Sequence, residues 1–371
     1  MPHTGAVLTT TIQRRHGDSK YCPSLTKKTI LITEDISEPV DEGIKKFSFY
    51  LAKYVRESGE QNVVFSASTN SDVPNIQPLP TNKLLFSLRF FQRLYSANAD
   101  QIVYIPFSSS TLMSFIRLFI ISLFKRQAKI VMFSVQERKH SSLSRKVISL
   151  LKPDLLVVLS NKEAAYYKKL GFNCRVTPIG VEFNKYSQVT SEQKKMLRLK
   201  LNLPENEKIV LHVGHVNKGR NLEVLNHLQE LGYKVVVVAS TRFQTDLQLK
   251  SNLEAKGYLF VSHFIKDIQE YYQASDLYAF PVVSAVSAME FPMSVLEAMS
   301  CNIPVITTRF GGIESFMDET DWFKYFSDGP DLVEKTKAFP NEGECTNRSL
   351  VLSKFSWQKV FDNLFSKMMS A

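Results

Sequence analysis

Residues 208–239 read KIVLHVGHVNKGRNLEVLNHLQELGYKVVVVA, and this stretch decides the fold class. Its first residues, 208–213, and its last, 234–239, are apolar and β-branched runs typical of strands that are buried on both faces. Between them, residues 222–231 place apolar side chains at helical spacing. A strand, a helix and a second strand in this order predict a βαβ unit with both strands parallel in one sheet.

The same alternation extends from residue 29 to the end of the chain. Further strands are predicted at 29–33, 62–66, 101–105, 129–133, 155–159, 258–261, 277–280 and 304–307. Helices are predicted at 45–57, 84–95, 162–170, 268–274 and 294–300. The polar segment 184–198 interrupts this pattern, and its Thr190 and Gln193 have the spacing of a capping box. Ten strands are many for one sheet. The sequence therefore predicts an α/β protein with two Rossmann-like domains whose carboxyl edges face a cleft.

Composition excludes several other classes of protein. The 371 residues are 44% hydrophobic and 22% charged, which is ordinary for a globular chain of two or three domains. The four cysteines are widely separated and form no CxxC pair, so we expect free thiols rather than a disulfide framework or a zinc site. Residues 1–190 carry 26 Lys and Arg against 14 Asp and Glu, whereas residues 191–371 carry 20 against 22. The basic first half suggests an anionic partner.

Two segments bear on targeting. Residues 1–27 are polar and lack a hydrophobic run, so we predict a disordered tail and no signal peptide. The most apolar stretch, 112–124, is shorter than the roughly 20 residues that span a bilayer. Arg117 interrupts it, and a strongly basic flank extends to residue 146. An apolar segment with a cationic flank fits a peripheral membrane surface, although a buried helix with solvated lysines fits the same residues. We expect a cytoplasmic protein, peripheral on the membrane in the first case.

The loop LHVGHVNKGRN at 211–221 follows a predicted strand and precedes a helix. Gly214 allows a sharp turn and Gly219 a close backbone approach. His215, Lys218 and Arg220 are thereby gathered near exposed helix N–H groups, where phosphate oxygens bind readily. The spacing is that of neither a Walker A loop nor a GxGxxG motif. By itself the loop is equally consistent with a solvated basic turn.

A second informative segment is AMEFPMSVLEAMSCNIP at 288–304. Pro292 suits the first turn of a helix, because it has no N–H group to lose. The free N–H groups at this helix start and the helix dipole favour a diphosphate. Glu297 lies about one turn inside, where its carboxylate fits a ribose diol. The alternative is that Glu290 and Glu297 are ordinary solvated or capping carboxylates.

Together these segments resemble the retaining GT-B glycosyltransferases, specifically glycosyltransferase family 4 (glycosyl transferases group 1). The resemblance covers most of the second half of the chain. It rests on LPENEKIVLHVGHVNKGRNLEVL, FIKDIQEYYQASDLYAFPV and SVLEAMSCNIPVITTRFGGIESF in that half, on DLLVVLSNKEAAYYKKLGFNCRVTPIGVEFNKY before it, and on FSWQKVFDNLF at the end. It implies an acceptor-binding domain at 28–187, a domain for the nucleotide-sugar donor at 188–354, and a closing helix at 355–371 that crosses back.

The resemblance also implies site residues. Lys218 matches the lysine that contacts the donor diphosphate, and Glu297 matches the second glutamate of the family's pair, a ribose ligand. The predicted catalytic residues are Glu290 and Lys218. The predicted donor-binding residues are Gly214, His215, Lys218, Arg220, Met293, Ser294, Glu297, Gly311 and Gly312. Gly43 and Gln136 are the acceptor-side candidates.

The chain departs from the family pattern in two places. The position eight residues before Glu297 is Met289, and the carboxylate stands at Glu290 instead. After the predicted strand 129–133, many relatives have a histidine near the transferred sugar, whereas this chain reads FSVQERKH. Ser134, Gln136 or Glu137 would occupy that neighbourhood, with His140 on the surface. The loop after Gly214 is also short, with His215 where the family usually has arginine, so Arg220 is the candidate for supplying that guanidinium.

The reaction that the resemblance implies is transfer with retention from a nucleotide-diphosphate-sugar to a glycan or lipid-linked acceptor. We expect no metal or other cofactor, because no DxD-like pair precedes the cleft, and no nucleic-acid partner. Two alternatives stay open: a GT-B sugar-nucleotide epimerase, and a non-catalytic GT-B subunit that binds nucleotide or a partner protein. The Lys-Gly loop and the signature helix favour transfer over epimerisation. The sequence determines neither sugar, base, acceptor, pathway nor oligomeric state.

Overall fold

The computed structural model describes residues 25–33, 35–38, 40, 43–68, 70–79, 86–106, 109–239, 245–284 and 288–369. Within these residues the chain forms two parallel β-sheets of seven and six strands. Apolar side chains of alternate strand residues enter separate core clusters on the two faces of each sheet, as Ile30 and Leu31 do in the first. The α/β prediction of two Rossmann-like domains is thus confirmed. The predicted tail lies outside the described residues up to position 24, and Leu25 is buried.

The first sheet has the order β3-β2-β1-β4-β5-β6-β7. Its strands are β1 (Thr29–Thr33), β2 (Val63–Ser66), β3 (Ile76–Pro78), β4 (Gln101–Ile105), β5 (Lys129–Ser134), β6 (Leu155–Val158) and β7 (Cys174–Val176). The helices of this part are α1 (Gly43–Glu57), α2 (Leu88–Ser96), α3 (Leu112–Phe124), α4 (Ser142–Ile148) and α5 (Asn161–Lys169). Strand β1 lies between β2 and β4, so the strand order reverses there.

The second sheet has the order β10-β9-β8-β11-β12-β13. Its strands are β8 (Lys208–Gly214), β9 (Tyr233–Ala239), β10 (Leu259–Val261), β11 (Leu277–Phe280), β12 (Val305–Thr307) and β13 (Phe323–Tyr325). The helices are α6 (Ser191–Lys200), α7 (Asn226–Gln229), α8 (Leu247–Ala255), α9 (Gln269–Ala274), α10 (Met293–Ser300), α11 (Gly329–Lys337), α12 (Asn347–Lys354) and α13 (Trp357–Met369). Here the order reverses between β8 and β11, and ligands of open α/β sheets bind at such a point.

Three short strands were not predicted: β3, β7 and β13, all at or next to sheet edges. The predicted helix 222–231 is also divided, because Leu222–Leu225 is a 3-10 helix and only Asn226–Gln229 is α-helical. The capping box at Thr190 is confirmed: its hydroxyl accepts from the Gln193 N–H and the Gln193 side chain accepts from the Thr190 N–H.

The final helix, α13, crosses back to the first sheet, as predicted. It packs on α1, where the Phe361 ring lies 5.9 Å from that of Phe47 and 5.2 Å from that of Tyr54. The Tyr54 hydroxyl donates to Asp362 Oδ1 at 2.7 Å. Lys129 Nζ of β5 donates to the Met368 carbonyl at 3.1 Å. The C-terminus therefore ties the first domain to the end of the second.

Replacing Phe361 with alanine tests the contribution of this closing helix. Phe361 is fully buried in an aromatic cluster with Phe47, Tyr54 and Trp357, so the change leaves a cavity. We expect the free energy of unfolding to fall by about 3–5 kcal/mol, as measured by urea titration. Ser366→Ala, at an exposed position of the same helix, is the control and should change it by less than about 0.5 kcal/mol. A loss below about 1 kcal/mol for Phe361→Ala would show that α13 is not part of the cooperative core.

Candidate functional site

The two segments singled out in the second half meet at one edge of the second sheet. Strand β8 ends at Gly214 and its neighbour β11 ends at Phe280, and because the strands are parallel their carboxyl ends lie together. The Gly219 carbonyl accepts the N–H groups of Val283 and Ser284 at 3.2 and 3.3 Å. Helix α10 begins nine residues after Ser284, at Met293. The Lys218 loop and the start of the helix that carries Glu297 therefore belong to the same edge.

Arg220 is a buried cation at this edge. Its side chain is only 5% exposed, and its guanidinium lies 5.9 Å from the Phe280 ring. Nε has no hydrogen-bond partner, and among the described residues no Asp or Glu forms an ion pair with it. Burial lowers the pKa of Arg220 to about 10, which still leaves it charged at neutral pH. A buried, uncompensated charge is costly, so this position favours an anion.

Gly214 makes room for this guanidinium. A Cβ atom at position 214 would lie 2.5 Å from Arg220 Nη1, and the φ of +153° is one that residues with side chains rarely adopt. His215 follows directly, and burial together with the charge of Arg220 lowers its pKa to about 4. The same two causes lower the pKa of the buried His212 to about 3. Both imidazoles are neutral at pH 7, so the positive charge of the loop comes from Arg220 and from the exposed Lys218.

Glu290 is turned towards the first domain. The side chain is 1% exposed, and Oε1 accepts from the Ser160 hydroxyl at 2.9 Å. Its backbone N–H donates to the Val135 carbonyl at 3.2 Å. Oε2 has no hydrogen-bond partner among the described residues. Burial raises the pKa of Glu290, and the Ser160 hydrogen bond opposes this. The alternative that Glu290 is a solvated carboxylate is wrong.

Glu297 is also buried, at 4% exposure, and the solvated alternative fails here as well. Its Oε1 accepts from Lys46 Nζ of α1 at 2.7 Å, and its Oε2 accepts from the Tyr272 hydroxyl at 2.8 Å. The Tyr186 hydroxyl belongs to the same cluster. The predicted ribose ligand thus forms an ion pair between the domains, 251 residues apart in sequence.

The two consecutive glycines after β12 fit against the same junction. Gly311 has a φ of +57°, and a Cβ there would lie 2.1 Å from the Glu290 carbonyl oxygen. A Cβ on Gly312 would lie 1.9 Å from the carbonyl oxygen of Leu159 in the first domain. The Gly312 N–H donates to the Glu290 carbonyl at 2.6 Å. A side chain at position 311 would clash with the Glu290 backbone within the second domain, and one at position 312 would push the two domains apart.

The acceptor-side candidates lie at the facing edge of the first sheet. Gly43 begins α1, and a Cβ there would lie 3.3 Å from Met289 Sδ. Gln136 follows β5, and its backbone N–H and carbonyl are both bound by the Ser109 hydroxyl, at 3.1 and 2.7 Å. Gly43 therefore lies at the domain junction, whereas the backbone of Gln136 is held by Ser109 within the first domain.

One residue after β5, His140, differs from expectation. His140 is half-buried rather than on the surface, since its Nε2 lies 3.2 Å from the Tyr167 hydroxyl and its ring packs against Phe115. Burial and the charge of Arg138 lower the pKa of His140. Glu137 pairs with Lys162 of α5 at 3.0 Å.

The sequence analysis missed Glu163, a buried acid in the first turn of α5. It is 3% exposed, and its Oε1 accepts from the Ser134 hydroxyl, while within the described part of the chain Oε2 has no hydrogen-bond partner. Burial raises the pKa of Glu163 to about 8. The sequence signal was present, because Ser160 and Glu163 have the spacing of a capping box. Only the structure shows that the carboxyl group turns away from the cap.

Other places in the structure give less evidence of a functional site. A cavity of about 440 Å³ lies beside β12 and β13, but its cations Arg309 and Lys335 are already paired with Glu314 and Glu319. The described residues contain no cluster of three or more His, Cys, Asp or Glu arranged to hold a metal ion. No helix in the described ranges combines the length and apolarity needed to cross a bilayer.

The raised pKa of Glu163 predicts a specific pH dependence of stability. In the folded chain the Glu163 carboxyl group keeps its proton up to about pH 8, whereas in the unfolded chain it loses the proton above about pH 4.3. The free energy of unfolding therefore falls as the pH rises from about 4.3 towards 8. Glu290, Glu137 and Lys162 are the neighbouring charges, and they are common to parent and variant. We expect the parent to lose on the order of 3 kcal/mol relative to Glu163→Gln between pH 5.5 and 8.5 in urea titrations.

Glu192→Gln is the control for this measurement. Glu192 also lies in the first turn of a helix but is exposed, so its difference from the parent should be the same at both pH values. An equally constant difference for Glu163→Gln would contradict a protonated buried Glu163.

Known proteins resemble this chain in sequence and in fold. Residues 193–343 match the family model of the glycosyl transferases group 1. The putative teichuronic acid biosynthesis glycosyltransferase TuaC of Bacillus subtilis is 29% identical over 167 residues, which are 43% of this chain and 40% of TuaC. The match thus spans less than half of the length of this relative.

Solved structures cover nearly the whole chain. Anabaena HepE, in complex with UDP-glucose, aligns with a TM-score of 0.68 at 15% identity, covering 93% of this chain and 99% of HepE. A glycosyltransferase from Rickettsia africae aligns with a TM-score of 0.71 at 16% identity, covering 93% and 99%. At this identity the likeness establishes the fold alone. The chain therefore has the GT-B fold, and residues 193–343 of its second domain match the family model of the glycosyl transferases group 1.

Proposed function

We propose that this chain is a glycosyltransferase that moves a sugar from a nucleoside-diphosphate-sugar to an acceptor hydroxyl. The observation that carries the proposal is the buried Arg220 guanidinium, which has no carboxylate partner and lies at the strand-order reversal of the second sheet. A diphosphate is an anion that suits it. The match to the glycosyl transferases group 1, and a structural neighbour solved in complex with UDP-glucose, support this choice of anion.

The donor diphosphate would lie between Arg220 and the first turn of α10. The N–H groups of Met293 and Ser294 are at the start of that eight-residue helix, where the helix dipole favours negative charge. Lys218 is exposed at the entrance and adds a second cation. When the bond from the anomeric carbon to the diphosphate breaks, negative charge develops on the leaving phosphate, and these groups are already positioned to stabilise it.

Transfer with retention fits the side chains at the junction. The acceptor hydroxyl would attack on the face that the diphosphate leaves, and a leaving-group oxygen would take its proton. Glu290 would contact the donor sugar through Oε2, the oxygen that no protein group uses. We further propose that no metal ion is required, since two cations and a helix start neutralise the phosphate charge. Activity retained in EDTA supports this, and a strict Mg²⁺ or Mn²⁺ requirement contradicts it.

Glu297 would bind the ribose only after a rearrangement. Both of its oxygens are engaged by Lys46 and Tyr272, and Lys46 belongs to the first domain. We propose that the donor enters when the domains separate and the Lys46 ion pair opens. The ribose diol would then take the place of the ammonium group.

Two observations favour an alternative function, that of a non-catalytic GT-B subunit. Met289 occupies the position of the family's first acid, and the Glu290 carboxylate bonds to Ser160 of the first domain. Such a subunit would bind nucleotide without transferring sugar. Nucleotide binding without turnover for any UDP-, GDP- or ADP-sugar would favour this reading.

The acceptor is proposed to be a glycan or lipid-linked molecule reached at a membrane surface. Helices α2, α3 and α4 are neighbours in the first domain, and each carries or adjoins apolar side chains that are strongly exposed. These are Leu88, Tyr95, Phe119, Leu123, Phe124, Leu143 and Leu150. Basic residues such as Arg145 and Lys146 lie beside them. Exposed apolar groups with flanking cations suit an anionic bilayer.

Two substitutions test the diphosphate site. Arg220→Met should weaken UDP binding about 10- to 100-fold in calorimetry, because a charge-assisted hydrogen bond is lost. Its free energy of unfolding should stay the same or rise, since an uncompensated buried charge is removed. Lys218→Ala should weaken binding about 3- to 10-fold. Lys256→Ala, exposed elsewhere in this domain, is the control and should leave binding unchanged. A destabilised Arg220→Met that binds UDP normally would contradict the site.

Vesicle co-sedimentation tests the membrane surface. The parent should bind phosphatidylcholine vesicles containing phosphatidylglycerol more strongly than pure phosphatidylcholine. Leu143→Ser combined with Arg145→Ala and Lys146→Ala should weaken that binding at least about 10-fold, since each cation contributes about 1 kcal/mol and the leucine more. The control pairs Met196→Ser with Lys195→Ala on α6, which are exposed in the second domain. Equal binding to both vesicle types would refute the surface.

A further inference from the structure

A buried hydrogen-bonded network lies at the carboxyl edge of the first sheet. We call it the Glu163 network; its members are Ser109, Ser110, Ser134, Glu163 and Tyr167, each no more than 3% exposed. The Tyr167 hydroxyl donates to Ser110 Oγ at 2.7 Å, and Ser134 Oγ lies 3.0 Å from Ser110 Oγ. The Ser134 hydroxyl also reaches Glu163 Oε1. The network thus holds one oxygen of a carboxyl group in place.

Helix capping does not account for the carboxyl group of Glu163. The Ser160 hydroxyl caps α5 by accepting the Glu163 N–H at 3.1 Å. In a complete capping box the glutamate side chain would return to the serine N–H, as Gln193 does for Thr190. Glu163 instead turns to Ser134 and leaves Oε2 buried without a protein partner. Buried polar atoms are rarely left without a hydrogen bond, so this oxygen calls for a ligand group.

The position of Glu163 narrows the choice of ligand. Ser160 Oγ, which accepts from the Glu163 N–H, also donates to Glu290 Oε1 of the second domain at 2.9 Å. One serine hydroxyl therefore connects the first-domain acid to the residue proposed to contact the donor sugar. Glu290 likewise has one buried oxygen, Oε2, without a protein partner. Two such carboxyl groups at one junction match a polyol, which offers a hydroxyl group to each.

Gln136 connects the same network to the predicted acceptor side. Ser109 Oγ lies 3.5 Å from Ser134 Oγ and binds both backbone polar groups of Gln136. Ser109 has a φ of +62°, which is unusual for a residue with a side chain, and such backbone strain clusters at functional sites. Serine hydroxyls and Glu163 therefore surround the end of β5, where the sequence has no histidine.

We propose that Glu163 is an acceptor-binding residue whose Oε2 hydrogen-bonds a sugar hydroxyl group of the acceptor and positions it beside Glu290. This inference rests on the proposed function and adds to it the chemistry of the acceptor site. The hydroxyl group could also belong to the donor sugar. Because Glu163 and its network belong wholly to the first domain, we assign the hydroxyl group to the acceptor. Burial raises the pKa of Glu163 to about 8, so at neutral pH it carries a proton and can both donate and accept.

The test compares Glu163→Leu with Glu163→Gln. Leucine has a similar volume and forms no hydrogen bond, whereas glutamine restores a donor and an acceptor. The donors are UDP-glucose and UDP-N-acetylglucosamine, and the acceptors are octyl glucoside, octyl galactoside and octyl N-acetylglucosaminide. We expect Glu163→Leu to raise the KM for the octyl glycoside at least about 10-fold. Glu163→Gln should stay within about 3-fold of the parent.

Three further readouts separate this role from a structural one. The dissociation constant for UDP and the rate of donor hydrolysis in the absence of glycoside should change by less than about 2-fold in Glu163→Leu. Its urea midpoint at pH 7.5 should not fall. Glu192→Gln, an exposed first-turn acid, is the matched control and should leave every quantity unchanged.

Each contrary result has a distinct meaning. An unchanged glycoside KM in Glu163→Leu would overturn the inference and leave the proposed function standing. A raised KM for the UDP-sugar would place the hydroxyl group on the donor and overturn the assignment to the acceptor. A parent that hydrolyses donor but transfers to no glycoside also contradicts the inference. A parent that neither binds UDP nor transfers sugar would overturn the proposed function itself.

Discussion

The buried charge of Arg220 is the constraint on which the rest of the site depends. A guanidinium with 5% exposure and no carboxylate partner costs free energy in the absence of an anion. Gly214 leaves the space that the guanidinium fills. The neighbouring His212 and His215 are neutral at pH 7, so they add no charge beside the guanidinium. The chain tolerates this cost where two neighbouring strands end and a helix begins. That is where a parallel α/β sheet binds ligands.

The second organising feature is the contact between the two domains. Glu290 bonds to Ser160, and Glu297 forms an ion pair with Lys46. Gly312 lets the second domain approach the backbone of the first, and α13 ties the domains together from the other end. The two acids that we propose to contact the donor thus also hold the domains together. Donor binding and domain separation are coupled if these groups exchange protein partners for sugar hydroxyls.

Much of the fold could be predicted, because central strands are continuous apolar runs. The strands Gln101–Ile105 and Leu277–Phe280 were predicted at their observed bounds for this reason. The edge strands Ile76–Pro78 and Phe323–Tyr325 were not, since a strand of only three residues carries little pattern. The helix at 222–231 was predicted too long, because helical spacing does not distinguish α from 3-10 hydrogen bonds.

The site was harder to predict than the fold. The glycines and cations near β8 are close in sequence, so their common position followed from a strand-to-helix turn. The first-domain partners of Glu297 and Glu290 lie 251 and 130 residues away, and no local pattern contains them. His140 was misplaced for the same reason, since Tyr167 and Phe115, which bury it, come from other elements. Glu163 had a local signal in the capping-box spacing, but its departure from that motif is visible only in three dimensions.

A crystal structure of the chain with UDP tests the central claim most directly. The account predicts that the diphosphate oxygens lie within hydrogen-bond distance of the Arg220 guanidinium and of the N–H groups at the start of α10. A diphosphate bound elsewhere, with Arg220 still without an anionic partner, would contradict it.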